Sequence, residues 1–446
     1  MAFVFQIESE SSMKLLFVAP SAYLLGGVQD WLYLTTLGLR NRGHIVDVAI
    51  PNNRFHNGIL YNQHYNGIHA VHFSNQSGSS EGRIRSLAKL LLRRPADLIV
   101  GVNIGDVYEA YKRVSSRLGD TRLAMTLHAI EGDYLGDIGR YHNLIDGVIT
   151  TNRLSERIVK ELSLIEPERI FYSPYGVKPA YSRQLHGDLN SLRIAWVGRL
   201  DDSQKRVSDL YGILNCLDTM GIDYMLSIAG DGPSRQELEQ RLAFWIGKGK
   251  ARILGFLNKQ QLDNLYSEHN ILLITSEWET GPIVAWEAMS AGLAVVSSKY
   301  VGHASEKALI NGDTALLYPV SSCMMAANQL KRLCDPELRV RISVTGQQMA
   351  VNRYSAETSI HQWEDTFKKI MSSNKRVIAR NQGFSLNNTR KRIQSGFVET
   401  LREKQRALLK RDAYCFDAGS EWPHSLYGPT NQDNLLRYAK SLEADA

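Results

Sequence analysis

The sequence predicts an α/β protein made of two doubly wound, parallel-sheet domains in tandem. Three observations carry that prediction. Short, nearly continuous apolar runs alternate with amphipathic helical stretches. The alternation stops at a polar segment rich in Pro and Gly and then begins again. The chain has 446 residues, more than one ordinary core encloses.

Each element follows from its own residues. "KLLFVA", "IVDVAI", "DLIVGV", "RLAMTL" and "DGVITT" are apolar on both faces and read as buried parallel strands. Between the first two, "VQDWLYLTTLGLRNRG" has helical spacing and ends on Gly43, a residue that stops helices. The break is "FYSPYGVKPAYSRQLHGDLNSL". After it, "RIAWVGRL", "YMLSIAG", "ARILGF", "ILLITS", "LAVVSS" and "ALLYPV" form a second strand series. In "PSRQELEQRLAFWIG", Leu238, Leu242, Trp245 and Ile246 make one helical stripe. Two Rossmann-like domains are expected, at residues 13–182 and 183–354, with residues 1–12 a ragged extension and Met13 a plausible start. Such sheets take ligands beyond the carboxyl ends of their strands, so a cleft between the two lobes is the expected site.

Composition narrows the class. With 43% apolar and 22% charged residues the chain reads as a soluble globular protein. No apolar run approaches the ~20 residues of a membrane-spanning helix. Acidic residues precede the first apolar run, and no basic leader does, so a secretory signal is not expected. Cys216, Cys323, Cys334 and Cys415 show no metal or redox spacing, which suits scattered thiols in a reducing cytoplasm. Of the net +6, residues 375–411 supply +9 (eleven Lys/Arg against two Asp/Glu), leaving −3 for the rest. The body therefore carries no nucleic-acid footprint.

The stretch "SEWETGPIVAWEAMSAG" concentrates the chemistry. Glu279 sits in the loop after a strand, Pro282 suits the first turn of a helix, and Glu287 falls in its second turn, ~7 Å further along the axis. Bare amides at that helix start favour an anion, and carboxylates accept hydrogen bonds from paired sugar hydroxyls. The pattern fits a ligand with phosphate in the middle and sugars at both ends; it also fits a surface helix whose glutamates face water. "WVGRLDDSQK" puts Arg199 at a strand exit and Lys205 at the start of the next helix, two cations able to neutralise a diphosphate. "IAGDGP" and "PSAYLLGGVQDW" carry glycine turns, at Gly230 and Gly232 and at Gly26 and Gly27, where backbone approaches a ligand closely. The absence of GxGxxG with a following acidic residue disfavours NAD.

In order along residues 14–371, "GGVQDWLYLTTLGLRNRGHIVDV", "LHAIEGD", "SPYGV", "VGRLDDSQK", "IAGDGP", "GFLNKQQLDNLYSEHNILLITSEWETGPIVAWEAMSAGLAVVSS" and "NGDTALLYPV" resemble glycosyltransferase family 4, the retaining sugar transferases of GT-B fold. The resemblance implies that Glu279 lies by the donor sugar and Glu287 on the nucleotide ribose. It implies Arg199 and Lys205 on the diphosphate, with Gly198 in the same turn, and backbone amides of Thr280, Gly281, Pro282, Ile283 and Val284 around sugar and phosphate. Gly230, Gly232, Gly255, Phe256 and Leu257 would flank the base. Gly26 and Gly27 would meet phosphate and acceptor, and His128 the reacting sugar. Residues 355–374 match the family's last helix, which crosses back to the first lobe, and residues 375–446 follow as a basic helical tail. Departures are Thr280-Gly281-Pro282 in place of Gly-Phe-Gly, Arg206 where glycine is common, Tyr175 and Lys178 where Asn and Asp are usual, and Ala129 after His128.

The implied reaction moves a hexosyl group from a UDP- or GDP-sugar to a hydroxyl of a glycan, lipid-linked sugar or glycolipid, in cell-surface polysaccharide or lipopolysaccharide synthesis. No metal is expected, because Arg199 and Lys205 neutralise the leaving diphosphate and no DxD-type carboxylate pair is present. The lobes would close about a hinge near residue 181. Other readings are a non-catalytic sugar-nucleotide binder or partner subunit, and an epimerase on the same fold. "RIRSLAKLLLRRP", with Ile84, Leu87 and Leu91 on one face, suits a helix packed on its sheet or one resting on an anionic inner leaflet. The tail, with Phe397, Leu401 and Leu408 amid basic residues, suits a membrane contact, a partner surface or a helix folded on the first lobe. A nucleic-acid partner is not expected.

Overall fold

The structure is a computed structural model and describes residues 12–20, 26–51, 58–74, 79–178, 191–376 and 432–444, with isolated positions between 398 and 408. The chain divides into two compact units. The first comprises Met1–Thr150, Val159–Ser173 and Ile360–Gln432; the second comprises Thr151–Ile158, Pro174–Ser359 and Asp433–Ala446. Besides the expected boundary near residue 182 and the return within residues 355–374, Thr151–Ile158 and Asp433–Ala446 also group with the second unit. The segment expected as a hinge and most of the basic stretch 375–411 lie outside the described residues.

The first unit is a parallel sheet of β1 (Lys14–Val18), β2 (Ile45–Pro51), β3 (Val71–Phe73), β4 (Leu98–Val102), β5 (Arg122–Leu127), β6 (Gly147–Thr150) and β7 (Ile170–Tyr172). Its order is β3-β2-β1-β4-β5-β6-β7, so the winding reverses between β1 and β4. The register pairs Leu15 with Leu98 and Val48 with Phe17. Both short strands at the edges, β3 and β7, have too few apolar residues for their runs to stand out in the sequence. Helix Ala356–Ser372 enters this unit at Ile360, with Trp363, Phe367 and Ile370 fully buried. Glycine makes room for it: a Cβ on Gly38 would stand 2.3 Å from the Ile360 side chain, and one on Gly147 2.6 Å from Ile370. The basic helix Ser80–Arg93 turns Ile84, Leu87 and Leu91 inward, and its Arg83 pairs with buried Asp106 at 2.6 Å. That apolar face is buried against protein and is not presented to a lipid surface.

The second unit holds β8 (Leu192–Val197), β9 (Tyr224–Ala229), β10 (Ala251–Gly255), β11 (Ile271–Ile274), β12 (Ala294–Ser298) and β13 (Leu316–Tyr318). The order β10-β9-β8-β11-β12-β13 reverses between β8 and β11. Strand residues alternate between two cores. Leu192, Ile194, Trp196, Ile271 and Leu273 join one, while Ala195, Leu272, Ile274 and Val295 join the other. This explains why the strands are apolar throughout: both faces are covered. The stripe expected on one helix at 233–247 is broken into Arg235–Arg241 and Ala243–Gly247. Leu238, Leu242 and Trp245 are buried, but Ile246 is exposed. Of the tail's apolar positions, Leu401 and Leu408 are exposed and Phe397 lies outside the described residues.

Candidate functional site

In a sheet of this order, ligands are taken outside the carboxyl ends of the two strands at the reversal. In the second unit those strands are β8 and β11. They carry Gly198 to Lys205 and Thr275 to Pro282, the segments that hold seven of the predicted site residues: Gly198, Arg199, Lys205, Glu279, Thr280, Gly281 and Pro282.

The two loops are sewn together. Thr275 Oγ1 donates to the Lys205 carbonyl at 2.6 Å and accepts from Trp196 Nε1 at 3.0 Å. Glu277 N–H donates to the Gln204 carbonyl at 2.8 Å. Across this seam Lys205 Nζ lies 2.6 Å from Glu279 Oε1, and Ser276 Oγ donates to the same oxygen at 2.5 Å. Glu279 is only 6% exposed, so its charge is answered by protein and not by water. Lys205 does not open the next helix as expected; that helix is Asp209–Thr219, and Lys205 stands four residues before it. Arg206 follows in the left-handed region at φ 49°, which accounts for the glycine common at that place, and two bonds to Asp209 (2.9 and 3.1 Å) hold it there.

Arg199 projects from the same loop with its side chain 62% exposed, tethered through Nε to Asp201 Oδ2 at 2.6 Å. Burial alone would raise the Asp201 carboxyl, but bonds from Gln204 N–H, Arg199 and Ser203 outweigh it and hold the group below its ordinary range. Asp201 therefore stays ionised and aims the guanidinium.

Beyond Glu279, Gly281 takes φ 91°, and Pro282 is the N-cap of helix Ile283–Ser290 where it was expected inside the first turn. Pro282 has no side-chain group with which to cap that helix start. Thr280, Ile283 and Val284 are half-buried around it. Glu287 lies in the second turn and accepts from Lys259 Nζ at 2.8 Å and Tyr266 OH at 3.1 Å. Lys259 and Tyr266 are seven residues apart on helix Lys259–Glu268, which starts with a capping box at Asn258 and Gln261. Neither was singled out in the sequence; the seven-residue spacing on one helix face was the available signal.

The glycines separate into two kinds. A Cβ on Gly230 would stand 1.8 Å from the Gly198 carbonyl oxygen, and one on Gly232 2.5 Å from that of Leu200. These two are required by the crossing of the loops after β8 and β9. Gly255 takes φ 68°, its carbonyl accepts from Gly230 N–H at 2.8 Å, and Phe256 and Leu257 follow it, Phe256 well exposed. In the first unit, Gly26 caps and Gly27 opens helix Gly27–Asn41, and among the described residues nothing lies within 4 Å of where a Gly26 Cβ would stand.

His128, at the end of β5 in the first unit, is 4% exposed. Its Nε2 lies 2.8 Å from Thr126 Oγ1 and its ring 4.8 Å from that of Trp31. Burial pushes its pKa down from 6.5 to about 3, so the imidazole is neutral. Among the described residues no group of three His, Cys, Asp or Glu has metal-binding proximity, and no helix is long and apolar enough to cross a membrane.

Residues 177–349 match the family model described as Glycosyl transferases group 1. The chain is 26% identical over 178 residues to an alpha-D-kanosaminyltransferase of Streptomyces kanamyceticus, which covers 40% of this chain and 45% of that protein. It spans less than half the length of each of the first curated relatives it matches. Among solved structures, Anabaena Alr3699/HepE in complex with UDP and glucose superposes with a TM-score of 0.64 at 20% identity, covering 80% of this chain and 99% of that one. Sucrose-phosphate synthase from Thermosynechococcus elongatus gives 0.66 at 16%, covering 81% and 99%. These likenesses establish two Rossmann-like, parallel-sheet units of the GT-B type.

Proposed function

We propose that this protein is a retaining glycosyltransferase that moves a hexosyl group from a UDP- or GDP-sugar to a hydroxyl acceptor, a glycan, lipid-linked sugar or glycolipid. The observation that carries the reading is the seam at β8 and β11, where Lys205 pairs with Glu279 while Arg199, held by Asp201, projects from the same loop, all within the segment that matches the family model. Support also comes from the neighbour whose structure holds UDP and glucose.

In this reading the diphosphate lies against Arg199, Lys205 and the start of helix Ile283–Ser290. Breaking the bond between anomeric carbon and phosphate oxygen builds negative charge on the leaving group. The two cations and the helix dipole stabilise that charge more in the transition state than in the bound donor. Glu279 is placed for sugar hydroxyls and Glu287 for the ribose. The acceptor hydroxyl attacks the face from which the phosphate departs, and the departing oxygen takes its proton, so configuration is kept. Neutralisation by protein cations makes no demand for a metal.

Purified protein is incubated with UDP-glucose, UDP-galactose, UDP-N-acetylglucosamine and GDP-mannose against a panel of glycan and glycolipid acceptors. Acceptor-dependent nucleotide release, with an axial-to-axial product by NMR, is the expected result. Donor conversion without acceptor would point to an epimerase, and binding without turnover to a silent homologue; an inverted product would remove the retaining assignment.

A further inference from the structure

The described C-terminal helix, Gln432–Ala444, does not trail from the molecule. From Asp433 onward it groups with the second unit, where Ala439 and Leu442 are buried and the Leu442 carbonyl accepts from Arg157 at 2.6 Å. Two of its charged side chains reach the strand extensions that carry Glu279.

Those extensions continue the sheet beyond β11 and β12. Trp278 bridges Val301; Val301 N–H donates to the Glu277 carbonyl at 3.0 Å, and Glu279 N–H to the Val301 carbonyl at 3.1 Å. Gly302 then takes φ 110°, and a Cβ there would stand 2.6 Å from the Glu279 carbonyl oxygen, so the two backbones are in direct contact. On one rail, Lys440 Nζ lies 2.5 Å from Glu277 Oε1, while Arg206 approaches its other oxygen at 3.6 Å. On the other rail, Glu443 accepts from Gly302 N–H (3.1 Å), Ala304 N–H (2.9 Å) and Ser305 N–H (3.0 Å), and from the Ser305 hydroxyl. His303 Nδ1 stands 3.8 Å from the same carboxylate. The short helix His303–Glu306 has no side-chain cap from its own start; Glu443 supplies it from about 140 residues further along the chain.

We propose that Glu443 and Lys440 are positioning residues for Glu279, and that the C-terminal helix is a clamp holding both rails of its ladder. Resting on the donor-site reading above, the clamp sets where the Glu279 carboxylate meets Lys205 and a bound sugar nucleotide. Residues i and i+3 of one helix turn grip the two rails together. Loss of either frees the loop without touching the ligand.

The test uses the full chain with Glu443→Ala and, as a second variant, Lys440→Met. Hydrogen exchange is read first, without nucleotide, at residues 277–280 and 301–305. Faster exchange at 277–280 in both variants is expected. Faster exchange confined to 301–305, or none, overturns the clamp whether or not the chain takes sugar nucleotides. Donor KM for the UDP- or GDP-sugar turned over by the wild type is then expected to rise on the order of tenfold with kcat little changed. A fall in kcat at unchanged KM, the mark of fewer folded molecules, counts against positioning. In a Glu279→Gln background, Glu443→Ala is expected to add little; full additivity overturns the coupling. Glu443→Gln, which keeps one acceptor oxygen, restores part of the effect.

Discussion

Lys205 and Glu279, 74 residues apart in the chain, meet at 2.6 Å across the seam between the loops after β8 and β11. In the proposed donor site, a bound anion has to contend with this contact. Lys205 is already paired, so a diphosphate must share it with Glu279 or draw it away. Lys205→Ala is expected to weaken sugar-nucleotide binding by ~1–3 kcal/mol. It also strands a buried carboxylate, so folding stability falls as well. Calorimetric titration with the donor and a denaturant melt separate the two effects; unchanged affinity would take Lys205 out of the site.

Glu287 offers an independent check from the far side of the helix start. With Lys259 and Tyr266 holding it, the carboxylate is oriented before any ligand arrives. Glu287→Ala is expected to cost ~1–3 kcal/mol of donor affinity, again through lost charge-assisted bonds. The measurement compares UDP with UDP-sugar. A loss confined to the sugar and absent from the nucleotide would move Glu287 from ribose to hexose.

Two glycine substitutions should part company. Gly230→Ala drives a methyl into the Gly198 carbonyl and sits at φ 140°, so a loss of ~3 kcal/mol or more in stability is expected, with Arg199's loop displaced. Gly26→Ala meets nothing among the described residues, and its stability should stay within ~0.5 kcal/mol. Thermal melts read the first difference. If activity falls in the well-folded Gly26→Ala protein, the glycine serves a ligand; if it does not, that assignment is lost.

Acid should expose His128. Its pKa is lowered in the folded state, to about 3 from 6.5, so the unfolded chain binds the extra proton between those values. The associated stability is fully present above about pH 6.5 and drains as pH falls toward 3, at no more than ~1.4 kcal/mol per pH unit. Wild type's margin over His128→Gln should therefore shrink across that window in chemical denaturation. A margin independent of pH would mean that the folded protein accommodates the imidazolium.

Much of the fold was legible because parallel strands covered on both faces have to be apolar throughout. The long inner strands stood out, while β3 and β7, three residues each, did not. Arg199, Lys205 and Glu279 were visible as charges in the loops that leave strands, and Glu287 as one in the second turn of the helix that follows. Their partners were not: Asp201, Ser276, Lys259 and Tyr266 look like ordinary loop and helix residues until the loops are brought side by side. For Gly230 and Gly232 the structure adds a requirement the sequence did not show, the neighbouring backbone at Gly198 and Leu200.

The sequence by itself determined the two series of strands, the helices between them and the strand ends at which charge gathers, since these depend on periodicity within a dozen residues. Only the tertiary structure decided which charges touch. Strand β8 lies beside β11, and Glu443 caps a helix about 140 residues earlier, because sheet order and long-range docking choose partners that no local window contains.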